Sequence, residues 1–142
     1  MEKQTRIMVF GTFDLLHPGH EHMFKQARKL AKNPFLIVSV ARTSNVKKIK
    51  SRPPKRSETV RASQLKKSPL VDQVVLGGAK NHIPHIVKAK PDIIALGYDQ
   101  VAYTKNLREE LSDAGLKVKV VRLRSYKPHI YKSSLLEKHP RK

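Results

Sequence analysis

The chain has 142 residues, with 30 Lys plus Arg against 11 Asp plus Glu, a formal charge of +19 and no cysteine. That length suits one domain with a real core, and the missing cysteines exclude disulfides, thiolate metal sites and cysteine nucleophiles while fitting a reducing compartment. No apolar run approaches a membrane span and the start, Met1-Glu2-Lys3-Gln4-Thr5-Arg6, lacks a signal peptide's apolar stretch, so a cytoplasmic protein with no membrane partner is expected. Ile7 to Phe10 reads as a strand that leads into Gly11-Thr12-Phe13-Asp14-Leu15-Leu16-His17-Pro18-Gly19-His20. A helix is predicted from Pro18 to Ala31, with Met23, Ala27, Leu30 and Ala31 at helical spacing. Phe35 to Ala41 is a continuous apolar run and reads as a strand buried on both faces. Arg42 to Arg56 is dense in Lys, Arg and Pro, cannot pack a core and is expected to be a basic loop.

A second helix is predicted from Ser57 or Glu58 to Lys67, ended by Pro69. Val71 to Leu76 reads as a strand closed by Gly77-Gly78, and Ile83 to Ala89 as a short helix with Pro84 in its first turn. Asp92 to Leu96 is a further buried strand ending at Gly97; Thr104 is placed as the cap of a helix to Ala114, stopped by Gly115. Lys117 to Leu123 is the last strand, and Ser133-Ser134 precedes a short helix start and a basic tail over 138–142. Strands alternating with helices in this way argue for a single α/β domain over the whole chain, with its core over about 7–137. The expected architecture is a doubly wound, Rossmann-like five-stranded parallel sheet with helices on both faces. Ligands of such sheets bind beyond the carboxyl ends of the strands, where the loops after Gly11 and Gly97 lie.

The excess of cations points to an anionic partner, either a phosphate-rich small substrate or a nucleic acid, with part of the charge being ordinary solvated surface. The first loop favours the former. A strand that ends in a glycine turn and feeds a helix N-terminus presents unpaired N–H groups and the positive end of a helix dipole, both suited to phosphate. His17 and His20 add two imidazoles to that first turn.

The segment Gly11-Thr12-Phe13-Asp14 with His17-Pro18-Gly19-His20 resembles the HxGH signature of the cytidylyltransferase-like nucleotidyltransferases. The likeness continues through Arg61 ahead of Val71-Asp72-Gln73-Val74, through Gly97-Tyr98-Asp99-Gln100, and to Ser133-Ser134. Within that family the Gly-Tyr-Asp-Gln loop and Arg124-Ser125-Tyr126-Lys127 look like archaeal FAD synthases. The Arg-Thr-Glu-Gly-Ile-Ser-Thr-Thr run of glycerol-3-phosphate cytidylyltransferases is absent. The resemblance implies transfer of AMP from ATP to the phosphate of FMN, with Mg²⁺ bound along with ATP rather than in a protein cage, and a homodimer as the common assembly. A CTP-dependent transfer to glycerol 3-phosphate or another polyol phosphate is the enzymatic alternative. A basic nucleic-acid-binding module on the same fold is the non-enzymatic one, and it is disfavoured because aromatics do not interleave with the basic cluster.

On this reading His17 and His20 are the catalytic residues, stabilising charge on the reacting phosphates. Gly11, Thr12, Phe13, Pro18 and Gly19 shape the nucleotide loop. Asp99 accepts from ribose hydroxyl or base amino groups, Tyr126 stacks on or bonds the nucleotide, and Ser133 and Ser134 offer donors at a late helix start. Lys47 and Arg61 are the favoured triphosphate contacts among a cluster that includes Lys48, Lys50, Arg52 and Arg56; a surface position or an ion pair with Glu58 is the plainer role for Arg61. Asp14 reads as a turn residue bonding nearby amides. His82, His85, His129 and His139 lack metal-ligand spacing and read as surface or structural.

Overall fold

The structure, a computed structural model, describes residues 3–13, 16–42, 56–77, 83–97 and 106–123. Its first strand, β1 (Thr5–Gly11), is buried on both sides because its side chains alternate between two apolar layers. Ile7 and Val9 join one core cluster, and Met8 and Phe10 the other. β2 (Pro34–Val40) is buried throughout from Leu36 onward, as its unbroken apolar run predicts. β3 (Gln73–Leu76), β4 (Ile93–Leu96) and β5 (Lys119–Arg122) are shorter than expected by one to three residues at their ends. The residues lost from β3 and β4 include Asp72 and Asp92, whose carboxylates bond backbone N–H groups of neighbouring strands.

All pairings are parallel and the order is β3-β2-β1-β4-β5. Helices α1 (Pro18–Arg28) and α2 (Glu58–Lys66) bury Phe24, Ala27 and Leu65 in the Ile7/Val9 cluster. Helices α3 (Ile83–Ala89) and α4 (Leu107–Asp113) bury Ile86, Ala89, Leu107 and Leu111 in the Met8/Phe10 cluster. The doubly wound, Rossmann-like sheet expected from the sequence is therefore present, with the two layers fixed by which face each strand residue takes.

Helix limits differ where local chemistry intervenes. The first helix stops at Arg28 rather than Ala31, because the chain must be extended before Pro34, the first residue of β2. Asn106, in the left-handed region at φ 61°, replaces Thr104 as the residue before α4, and Thr104 lies outside the described residues. Gly115, at φ 91°, follows that helix as its stop, a conformation that glycine adopts without strain. Among the described residues no helix is long and apolar enough to cross a membrane.

The topology opens a crevice beside β1. Its ladder with β2 runs the full length from Thr5↔Pro34 to Gly11↔Val40, whereas its ladder with β4 holds only Ile7↔Ile93 and Met8↔Ile94. β4 itself continues paired to β5 as far as Leu96↔Arg122. The sheet thus parts between the carboxyl ends of β1 and β4, where the strand order reverses, and this is where such sheets receive ligands.

Candidate active site

At the end of β1 the turn toward α1 is shaped by one close approach. A Cβ on Gly11 would lie 2.7 Å from Cε2 and Cζ of Phe13, so only glycine lets that ring fold back over the strand end. Phe13 itself is 2% exposed and sits at φ 55°, a conformation an aromatic residue keeps only when its surroundings enforce it. The ring meets Phe24 of α1 at 5.7 Å and the edge of His20 at 5.0 Å between centroids. One catalytic candidate is thereby packed directly on the turn.

The two histidines form the start of α1. His17 is the N-cap, in extended conformation, and its Nδ1 accepts from the Gly19 N–H at 3.1 Å. His20, three residues on, accepts at its own Nδ1 from the His17 N–H at 3.4 Å, which completes a reciprocal capping box made of two imidazoles. Pro18 follows at the first helical position, where its missing N–H leaves nothing unsatisfied. The rings stack with centroids 3.9 Å apart and planes 26° from parallel.

This arrangement fixes the protons. A nitrogen that accepts a hydrogen bond carries none, so each neutral ring holds its proton on Nε2 and presents it as a donor. Burial pushes the His17 pKa below its ordinary value of 6.5, favouring the neutral form. Two imidazoles and the positive end of an eleven-residue helix stand at the carboxyl end of β1, the strand that borders the crevice. Such a set can bind phosphate oxygens and stabilise charge that grows on them, and it contains no nucleophile.

Arg61 departs from its plainer sequence reading as a surface residue. It is 0% exposed on the inner face of α2, one turn before Leu65, so it is not a surface residue. Glu58 meets Arg42, at 3.5 Å. The Arg61 guanidinium donates from Nη1 to the carbonyls of Thr12 at 2.9 Å and Ala41 at 2.7 Å, and from Nε to that of Arg56 at 3.0 Å. It therefore joins the turn after β1, the turn after β2 and the residue before the α2 cap. The sequence holds one faint sign of this, since Arg61 and Leu65 share a helical face while Val60 points outward, 45% exposed.

The structure brings together Gly11, Thr12, Phe13, His17, Pro18, Gly19, His20 and Arg61. Asp14, Lys47, Lys48, Lys50, Arg52, Asp99, Tyr126, Ser133 and Ser134 lie outside the described residues, as do His82, His129 and His139. His85 is half-buried on α3 and its Nε2 pairs with the buried Ser39 hydroxyl at 2.8 Å. Two further arginines escaped the sequence reading: Arg42 donates to the Gly77 carbonyl, and Arg122 to that of Gly97 at 2.7 Å. Each stands beyond an apolar run and carries no motif.

Residues 8–139 match the cytidylyltransferase-like family. Among its relatives, a FAD synthase of Korarchaeum cryptofilum is 48% identical over 124 residues, covering 87% of this chain and 84% of its own. A FAD synthase of Pyrococcus abyssi is 44% identical over 131 residues, 92% of this chain and 84% of its own. A crystal structure described as the lipopolysaccharide core biosynthesis protein of Thermoplasma volcanium superposes with a TM-score of 0.78 at 34% identity, covering 87% of this chain and 98% of that one. A strand-turn-helix with paired, mutually capping histidines at the switch point of a parallel sheet, matched over nearly the whole chain, places the protein in the cytidylyltransferase-like family.

Proposed function

We propose that the protein is an FMN adenylyltransferase. A phosphate oxygen of FMN attacks the α-phosphorus of ATP, the bond from that phosphorus to the bridging oxygen breaks, and FAD and pyrophosphate form. The single observation that carries the reaction class is the histidine capping box, in which two imidazoles, each accepting from a backbone N–H at Nδ1, share one helix start. The choice of ATP and FMN is supported by relatives bearing the name FAD synthase at 41% to 48% identity.

The chemistry asks for positioning more than for a reactive group. An acceptor phosphate approaching a triphosphate meets like-charge repulsion, and the helix dipole, the imidazole N–H groups and the loop amides offset it. They do so most in the transition state, where charge on the transferring phosphoryl oxygens is greatest. A preorganised donor of this kind typically contributes about 3 kcal/mol. His17 and His20 act as donors and not as bases, because each Nδ1 is already held by a backbone N–H. Gly11 and Phe13 keep His20 in place through ring contact.

Mg²⁺ enters this reading as the companion of the triphosphate. Among the described residues no three His, Cys, Asp or Glu side chains come together to cage a metal, so no step is assigned to a protein-held ion. Lys47, Asp99, Tyr126, Ser133 and Ser134 complete the nucleotide site in this proposal, on the family resemblance of the segments that carry them.

The test is to incubate purified protein with ATP or CTP, Mg²⁺ and either FMN or glycerol 3-phosphate, following FAD by chromatography and pyrophosphate release. FAD from ATP and FMN is expected. Turnover of CTP with glycerol 3-phosphate and no FAD would overturn the substrate assignment. Salt-sensitive RNA binding without any nucleotide turnover would overturn the reaction class.

A further inference from the structure

The arginines at the carboxyl edge of the sheet share a task. Arg61 holds the carbonyls of Thr12 and Ala41, Arg42 that of Gly77 and Arg122 that of Gly97, so a carbonyl beyond each of β1, β2, β3 and β4 accepts from a guanidinium. Arg61 differs from the other two. Arg122 is exposed and the Arg42 side chain is 38% exposed, whereas Arg61 is wholly buried and joins two turns at once. A buried cation is costly unless its hydrogen bonds are made, and an apolar residue would fill the same inner face of α2 without that cost. Its retention calls for a function that an apolar side chain lacks.

Peptide geometry supplies one. In a trans peptide the C=O and the following N–H point in opposite directions, and among the described residues no peptide is cis. By fixing the Thr12 oxygen, Arg61 turns the Phe13 N–H away from itself. The Ala41 oxygen, fixed in the same way, sets the Arg42 N–H. Phe13 lies at φ 55°, and the bond to the preceding carbonyl is one of the restraints that keep it there. The guanidinium also neutralises two carbonyl oxygens that would otherwise repel a polyphosphate.

We propose that Arg61 is a positioning residue for nucleotidyl transfer: it does not touch the triphosphate but orients the Thr12–Phe13 and Ala41–Arg42 peptides so that their N–H groups face it. The inference rests on the proposed nucleotide site and replaces a direct phosphate contact by Arg61 with an indirect one. The fork of a guanidinium is essential to it, since a lysine ammonium keeps the charge without reaching all three carbonyls in the same geometry.

Arg61→Lys and Arg61→Gln, checked for folding by urea titration, provide the test. In the nucleotide-free protein the Phe13 and Arg42 amide resonances should move while those of Val120 and Val121 on β5 stay. The kcat for FAD formation should fall on the order of 10²-fold with the KM for FMN little changed. In the wild-type protein the Arg61 Nε–H resonance should keep its position and slow solvent exchange when a non-hydrolysable ATP analogue saturates the site. Unmoved amides, a KM for ATP that rises alone, or an Nε–H that shifts strongly on nucleotide binding overturns the proposal. If neither variant folds, the wild-type resonance decides. Wild-type protein that makes no FAD refutes the substrate reading, whereas both resonance measurements need no flavin, so the two failures are distinguishable.

Discussion

Strand starts and strand ends in this sheet are held by opposite charges: carboxylates on N–H groups at the starts of β1 and β2, arginines on carbonyls just beyond the ends of β1 to β4. At the amino end, Asp92 accepts from the Arg6 N–H at 2.8 Å and Asp72 from the Leu36 N–H at 2.8 Å, so carboxylates satisfy donors where β1 and β2 begin. Arg28 closes on Asp72 at 2.7 Å, and Arg6 lies over the Phe35 ring at 4.9 Å while donating to Ala89 and Gln73. At the carboxyl end the acceptors are backbone carbonyls and the donors are arginines. A parallel sheet leaves unpaired N–H groups at one end and unpaired C=O groups at the other, and this chain meets each with the complementary ion. The result is a division of labour. Acids are used to anchor strand starts, and the edge that would receive a polyanion keeps its cations and its outward N–H groups.

Breaking the carboxyl end at its histidines should give the largest effect. His20→Ala is expected to lower kcat on the order of 10²- to 10³-fold, because one preorganised donor is lost. Urea denaturation should show a loss of only about 1 kcal/mol from the missing cap interaction. His17→Asn sharpens the point, since asparagine can cap the helix: stability should be retained while turnover stays low. Normal turnover in either variant would move the chemistry away from this helix start.

Gly11→Ala should act next, by displacing the Phe13 ring that lies 2.7 Å from the new methyl group and, through it, His20. We expect about tenfold lower kcat from the shifted geometry and about 1–3 kcal/mol of destabilisation from overpacking, read by steady-state kinetics and by urea titration. Asp72→Asn tests the opposite end: stability should drop by about 1–3 kcal/mol as the bonds to Leu36 and Arg28 weaken, with turnover per folded molecule unchanged. Loss of turnover in Asp72→Asn comparable to that in Gly11→Ala would erase the distinction between the two ends.

The smallest effect concerns pH. The folded-state pKa of His17 lies below its ordinary value of 6.5, so over the interval between the two the unfolded chain binds more protons. His17 therefore contributes stability that is fully present above 6.5 and declines as pH falls toward the lowered value. Thermal melts across pH 5 to 8 should show this decline, and it should vanish in His17→Asn. A decline of the same size in the variant would assign it to other groups.

Much of the fold is visible in the residue pattern because it depends on local cues. The unbroken run Phe35 to Ala41 marks β2, Ser57 caps α2 by accepting from the Val60 N–H at 3.2 Å, and Gly115 ends α4. The paired histidines are legible for the same reason, since both belong to one helix start. What sequence pattern does not carry is partnership across the chain. Arg61 bonds a carbonyl 49 residues earlier, and Asp72 and Asp92 bond strand starts 36 and 86 residues earlier. Arginine is rarely buried without such partners, so an Arg near a basic region reads as a phosphate contact or a surface residue until the fold supplies its carbonyls.

The reciprocal bonds of His17 and His20 also settle when the rotational freedom of the two rings is given up. Each imidazole is pinned as α1 forms, so the entropy of ordering it belongs to folding and does not reappear when nucleotide arrives. A flexible cation on a long stem would lose that freedom at every turnover. By making the start of a helix out of the two histidines proposed to bind the reacting phosphates, the chain orders them once in the life of the molecule.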